Sequence, residues 1–157
     1  MSTELKLLFA SHDEGLLTHW QRAFALQEHV IAKSFETLHL QSIMPGTLIW
    51  IDLALPQIPP WKTTTWKQLI SKDGVRVVAT SSNPSEGQAI EALDAGCAGY
   101  CHAFSDAQTL IQVFQVVQSG HVWIGKTLMQ RLIQSAGRAI SEAQNSSPDW
   151  GHSLTQR

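Results

Sequence analysis

The sequence predicts an α/β domain built on a doubly wound parallel sheet, and three observations carry that expectation. Short apolar runs alternate along the chain with longer segments of helical period, the pattern of βαβ units. The most apolar run, Leu48-Ile49-Trp50-Ile51, is hydrophobic at consecutive positions, as a central strand covered on both faces must be. At 157 residues, 43% hydrophobic and 15% charged, the chain has the size and composition of one folded domain rather than of a disordered tail.

The elements follow in order. A first strand over Leu5 to Ala10 leads into a helix whose inner face is Leu17, Trp20 and Phe24. Val30 to Ser34 reads as a second strand, and Phe35 to Met44 as a short helix closed by Pro45-Gly46. The third strand, from Leu48, ends in a carboxylate, Asp52. Beyond the prolines at 56, 59 and 60, a helix is expected from Trp61 to Ser71, and Asp73-Gly74 turns the chain into a fourth strand, Val75 to Thr80. Asn83-Pro84-Ser85-Glu86 reads as a helix start with Asn83 as the cap and Pro84 at the first helical position. That helix ends at Gly96, and Ala98 to His102 form a fifth strand. Ser105-Asp106-Ala107-Gln108 reads as a capping box opening a helix with Leu110, Val113, Phe114 and Val117 on one face. An extra helix, about Lys126 to Glu142, carries a stripe of Met129, Leu132, Ile133, Ala136 and Ile140. The rest, to Arg157, is polar and reads as a linker.

Composition narrows function. The net charge is −2 with histidines neutral, and there is no basic block of the kind that displaces counterions from nucleic acid. No apolar stretch is long enough to span a bilayer, and no signal peptide precedes the first strand, so the cytosol is the expected compartment. Two cysteines, Cys97 and Cys101, make no disulfide framework and read as buried free thiols. Of six tryptophans, Trp20 and Trp50 read as core and Trp61, Trp66 and Trp123 as candidates for partial exposure, and seven histidines are scattered without metal-ligand spacing. No glycine-rich loop follows the first strand, which argues against a dinucleotide enzyme. Ser11-His12-Asp13 has the letters of a catalytic triad, but adjacent residues cannot converge on one reacting atom.

Ligands of open α/β sheets bind outside the carboxyl ends of the strands. Here those ends carry Ser11-His12-Asp13, Asp52, Thr80 and His102-Ala103. With Leu48 to Pro56, Val77-Val78-Ala79-Thr80-Ser81 and Ala95-Gly96-Cys97-Ala98-Gly99-Tyr100, the chain resembles the receiver domains of two-component response regulators, in the NarL/FixJ (LuxR-type) branch. The resemblance covers roughly residues 4 to 135. It implies a five-stranded sheet of order 2-1-3-4-5 over residues 1–122, with Asp52 as phosphoacceptor, Thr80 as the hydroxyl sensing a phosphoryl group, and Tyr100 as the aromatic that moves with it. It also implies a regulatory, non-enzymatic protein, a homodimer, and a histidine kinase as a possible donor.

The departures matter equally. Two acids that help hold Mg²⁺ in the family fall on Ser11 and His12, with Asp13 one position late, and the lysine aimed at the phosphoryl oxygens falls on Ala103. Imidazole is a poor substitute for carboxylate around a hard cation. Mg²⁺ binding at Asp52 and Asp13 is therefore expected to be weak or absent, and the domain to be a pseudo-receiver that requires no cofactor. The segment opening the extra helix, 123–143, begins Trp123-Ile124-Gly125-Lys126, similar to the W-[FLM]-[TS]-R element with which some biofilm regulators of this branch bind cyclic di-GMP. That resemblance offers Trp123, Lys126 and Arg131 as a nucleotide site, although three of the four positions differ. Leu154-Thr155-Gln156-Arg157 looks like the L-T-x-R that opens the branch's helix-turn-helix domain, so residues 144–157 are expected to lead into a DNA-binding module. The rival expectations are a conventional phosphoreceiver and a stand-alone docking domain.

Overall fold

The computed structural model describes residues 6–40, 43–72 and 74–146 of the chain. Six parallel strands, β1 (Leu7–Ala10), β2 (His29–Ala32), β3 (Leu48–Asp52), β4 (Arg76–Ser81), β5 (Gly99–His102) and β6 (Trp123–Ile124), lie in the order β2-β1-β3-β4-β5-β6. They alternate with α1 (Glu14–Ala23), α2 (Phe35–Leu40), α3 (Thr64–Ile70), α4 (Glu86–Asp94), α5 (Ala107–Gln118) and α6 (Lys126–Ser146). The chain divides into two compact units between Ile124 and Gly125.

The order 2-1-3-4-5 is the expected one, but the sheet does not stop at five strands. Trp123 and Ile124, expected to open the extra helix, pair with Gly99 and Tyr100 as a short parallel strand, beginning with a bond from Trp123 N–H to the Ala98 carbonyl at 2.9 Å. The physical reason is the exposed edge of β5, whose backbone groups need partners. Gly120, at φ 95°, turns the chain after α5 back toward that edge. A two-residue strand leaves no periodicity to read.

Side-chain alternation along the strands sorts the core. Leu7, Phe9, Leu48, Trp50, Val78 and Cys101 face α1 and α5, where Leu16, Leu17, Trp20, Leu110, Val113 and Val117 close over them. Phe24 caps the end of α1 and joins this cluster, while Phe114 is only partly buried. Every residue of β3 is buried, Asp52 included. Burying each large apolar side chain contributes about 1.5–3 kcal/mol. Among the described residues the buried Trp50 indole N–H has no hydrogen-bond partner; its ring lies 6.3 and 5.3 Å, centroid to centroid, from those of Trp20 and Phe24.

Three local expectations are corrected. Asn83 does not cap α4; Ser85 does, its hydroxyl accepting from Gln88 N–H at 3.1 Å, while Asn83 N–H donates to the Ser81 hydroxyl. Ser85-Glu86-Gly87-Gln88 is itself a capping-box pattern, and it wins over the one starting two residues earlier. Likewise Asp106, not Ser105, caps α5 by accepting from Thr109 N–H at 2.8 Å; Ser105 donates instead to the His102 carbonyl. Trp66, expected to be partly exposed, is fully buried, sandwiched by Phe35 and Trp61 and donating to the Pro59 carbonyl.

In the second unit α6 runs from Lys126 to Ser146, past the expected end at Glu142. Of its apolar stripe, Leu132 is half-buried whereas Met129, Ile133 and Ala136 are exposed; the Ile140 side chain, like the segment Leu154 to Arg157, lies outside the described residues.

Candidate functional site

The carboxyl ends of β1, β3, β4 and β5 bring Ser11, Asp52, Thr80 and the segment after His102 to one edge of the sheet. Asp52 sits at the last position of β3, opposite Thr80 in the β3–β4 register, with 4% of its surface exposed. Such a carboxylate needs donors, because a buried charge without hydrogen bonds costs several kcal/mol. Two are supplied. The Ser11 hydroxyl donates to Oδ2 at 2.8 Å, and the Ala54 backbone N–H donates to Oδ1 at 2.9 Å.

Ser11 is held in turn. It is completely buried, and its oxygen accepts from Asp13 N–H at 3.0 Å, so the loop after β1 wraps around it. Asp13 is exposed and does not turn back to the pocket with both oxygens. Its Oδ1 accepts from Leu16 N–H at 3.2 Å as the N-cap of α1, where the helix dipole favours a negative charge. His12 is exposed. A divalent cation would find one buried carboxylate with each oxygen already hydrogen-bonded, plus a second carboxylate engaged in capping. Among the described residues no group of three or more His, Cys, Asp or Glu is placed to hold a metal ion. This donor set is a poor fit to Mg²⁺, which requires near-octahedral oxygen ligation.

The hydroxyls expected to act as a switch are committed as well. Thr80 is fully buried and donates to the Ile51 carbonyl at 2.9 Å. Tyr100 is 1% exposed, its hydroxyl donating to Gln88 Oε1 at 2.5 Å and accepting from Ser85 N–H at 3.0 Å. In a capping box the residue-88 side chain would take the Ser85 N–H directly. Here the phenol oxygen stands between them and closes the box from the sheet. Burial pushes the Tyr100 phenol above its ordinary value, although the Ser85 bond pulls the other way.

Ala103, in the slot where the resemblance expects a lysine, is fully buried in the core cluster, and its neighbour His102 is exposed, as strand alternation requires. Its N–H donates to the Ser81 carbonyl at 2.9 Å, and its carbonyl accepts from the Trp20 indole N–H at 2.9 Å. The flanking thiols are inert: burial pushes Cys97 and Cys101 up to about 12, so neither offers a thiolate near neutral pH.

Trp123 is half-buried in β6 against the core cluster, whereas Lys126 and Arg131 are exposed on α6, in the other unit. Ser85, Gln88, His19 and Trp20 are contributors to the site that sequence reasoning missed as such. Only the Ser85-x-x-Gln88 spacing carried a readable signal.

No protein-family model matches the chain, and no curated protein sequence matches it. Its fold is widely matched among solved structures. A LuxR-family two-component response regulator from Aurantimonas sp. SI85-9A1 superposes with a TM-score of 0.69 at 16% identity, covering 83% of this chain and 96% of that one. The isolated REC domain of RcsB from Salmonella enterica serovar Typhimurium, in the presence of phosphomimetic BeF3-, gives 0.65 at 11% identity, covering 82% and 98%. The signal receiver domain of the putative response regulator NarL from Mycobacterium tuberculosis gives 0.59 at 14%, covering 76% and 100%. Against the longer chain of the response regulator DrrB from Thermotoga maritima, the match spans 55% of that chain. The chain has the CheY-like fold of response-regulator receiver domains, extended by a sixth strand.

Proposed function

We propose that this chain is a regulatory pseudo-receiver: a receiver-fold domain of a cytoplasmic transcription regulator that controls dimerisation and output without standard phosphorylation of Asp52. One observation carries the reading. The Asp52 carboxylate is already satisfied by Ser11 and Ala54, neutral donors built into the fold. Phosphoryl transfer to it would disturb the donor on whichever oxygen attacks, Ser11 at Oδ2 or Ala54 N–H at Oδ1, and would need a cation to neutralise the carboxylate and the incoming oxygens together. Asp13 is engaged at the α1 cap, and Ala103 offers no ammonium. A ligand shifts an equilibrium only by its preference for one state, and the Thr80 and Tyr100 hydroxyls already have partners in the present one.

The DNA-binding module that the resemblance implies would follow this domain, and the low charge of the domain itself supports assigning DNA contact elsewhere. The match of fold to receivers, which are regulatory in the family resembled, supports a non-enzymatic role.

The test is treatment of the protein with acetyl phosphate, and separately with beryllofluoride, at millimolar Mg²⁺. The expected result is no mass gain of a phosphoryl group, an unchanged amide spectrum, and an unchanged oligomeric state. Stable phosphorylation of Asp52 with a matching change in dimerisation would overturn the proposal in favour of a conventional phosphoreceiver.

A further inference from the structure

Helix α1 is fastened to the loop between β5 and α5 by two successive residues. Trp20, fully buried, donates its indole N–H to the Ala103 carbonyl at 2.9 Å. His19, half-buried, bonds through Nε2 to the Ser105 carbonyl at 2.6 Å, and its ring lies 5.7 Å from that of Phe104. The partners are 83 and 86 residues apart in sequence. Since a carbonyl can only accept, both ring nitrogens act as donors here. The same loop is held from the sheet side by Ala103 N–H on the Ser81 carbonyl, and from within by Phe104 N–H on His102 Nδ1 and Ser105 N–H on the His102 carbonyl.

We infer that Trp20 and His19 are a fastener that sets the position of the β5–α5 loop, so that α1, not Asp52, is the element through which that loop is released. The inference rests on the pseudo-receiver reading only in giving Asp52 no part in the release; the fastener itself stands on the bonds. Its logic is positional. A residue at 103 with a long charged side chain would tie the loop to the pocket, whereas Ala103 has only a methyl, buried in the core cluster that also holds Trp20. Besides the Ala103 N–H bond to the Ser81 carbonyl, the loop is therefore placed by its Ala103 and Ser105 carbonyls, and α1 side chains hold both. Displacing α1 by as little as an ångström takes both bonds beyond hydrogen-bond length at once.

Amide hydrogen exchange of the full chain tests this. Trp20→Phe keeps an aromatic ring in the core and removes the donor together with part of the indole's volume; His19→Ala removes the second bond at a half-buried position. Each is expected to speed exchange of the Ala103, Phe104 and Ser105 amides by about five- to tenfold, while Ile49 and Trp50 of β3 stay protected. Asp52→Ala should leave the three loop amides unchanged. Unchanged loop exchange in both α1 variants, with β3 still protected, overturns the fastener. If Trp20→Phe loosens β3 as well, His19→Ala alone decides, because its side chain is not part of the core cluster. Acceleration in Asp52→Ala equal to that in the α1 variants would also overturn the inference, since Asp52 would then set the loop. Phosphorylation of the unmodified protein, read separately as a mass gain, would bear on the pseudo-receiver reading and leave the fastener standing.

Discussion

On the β4–α4 side of Asp52, Thr80 and Tyr100 are the hydroxyls that the resemblance offers as a switch, and each donates its proton within the protein. On the other side, formed by the loops after β1 and β5, Ser11, His12 and Ala103 stand in slots that the resemblance expects to be charged. On the first side both hydroxyls are bonded internally; on the second the buried carboxylate is served by the neutral donors Ser11 and Ala54 N–H. A buried carboxylate can be kept by neutral donors as well as by a cation, provided each oxygen is served. Neutral donors, however, bring no net charge to attract a phosphoryl group, which is why the proposed reading turns on these residues.

The largest expected effect comes from restoring charge on the altered side. Ala103→Lys places an ammonium stem at a fully buried position beside Trp20, and should cost about 3 kcal/mol or more in urea unfolding. A loss below about 1 kcal/mol, together with Mg²⁺ binding once Ser11→Asp and His12→Asp are added, would mean that the pocket differs from a working one by residue type alone.

Ser11→Ala should be next. It removes a donor from a buried carboxylate oxygen and also leaves Asp13 N–H without its acceptor, a loss of about 1.5–3 kcal/mol. Thermal or urea unfolding checks this, and a neutral outcome would show that Asp52 does not depend on Ser11.

Tyr100→Phe tests the side that kept its residues. The Ser85 N–H loses its acceptor, but Gln88 can close the capping box directly, so the loss should stay near 1 kcal/mol. The same variant should leave Asp52 and Ser11 amide shifts unmoved, because the phenol's partners, Ser85, Gln88 and the Ser81 side chain, all lie on the β4–α4 side. Propagation to Ser11 would break the separation of the two sides.

The smallest effect is a pH response at the start of α5. The Thr109 backbone N–H holds the exposed Asp106 carboxyl below its ordinary 3.8, with a smaller contribution from the Thr109 side chain. A lowered carboxyl contributes stability above its unfolded value and loses it as pH falls through the folded one. The Thr109 amide shift should therefore be constant at neutral pH and titrate below 3.8, and Asp106→Asn should abolish the titration. Release of the cap at higher pH would contradict the geometry.

Much of this molecule was legible before any coordinates. Alternating apolar runs and helical stripes gave five strands and their helices because burial on a sheet face or a helix stripe imposes a period of two or 3.6 on the residues themselves. The continuous apolar run at 48–51 marked β3 as covered on both faces, and Asp52 followed as the carboxylate at its end. The inner faces Leu17-Trp20-Phe24 and Leu110-Val113-Val117 are the ones that close the core.

What the tertiary structure alone decided are the contacts with no period. Trp123-Ile124 became a strand because the edge of β5 was free to pair with it, not because two residues have a pattern. Ser85 prevailed over Asn83 as the cap of α4 where two overlapping capping sequences competed, and the bond from its N–H to Tyr100 lies fifteen residues away on β5. Ser11 reads in sequence as a missing acid, and only the approach of β1 and β3 makes it the donor to Asp52, forty-one residues distant. The bonds of Trp20 and His19 to the carbonyls of Ala103 and Ser105 belong to the same class. Local sequence encodes which face a side chain presents; a hydrogen bond between distant loops exists only once the folded sheet has brought their atoms within about 3 Å.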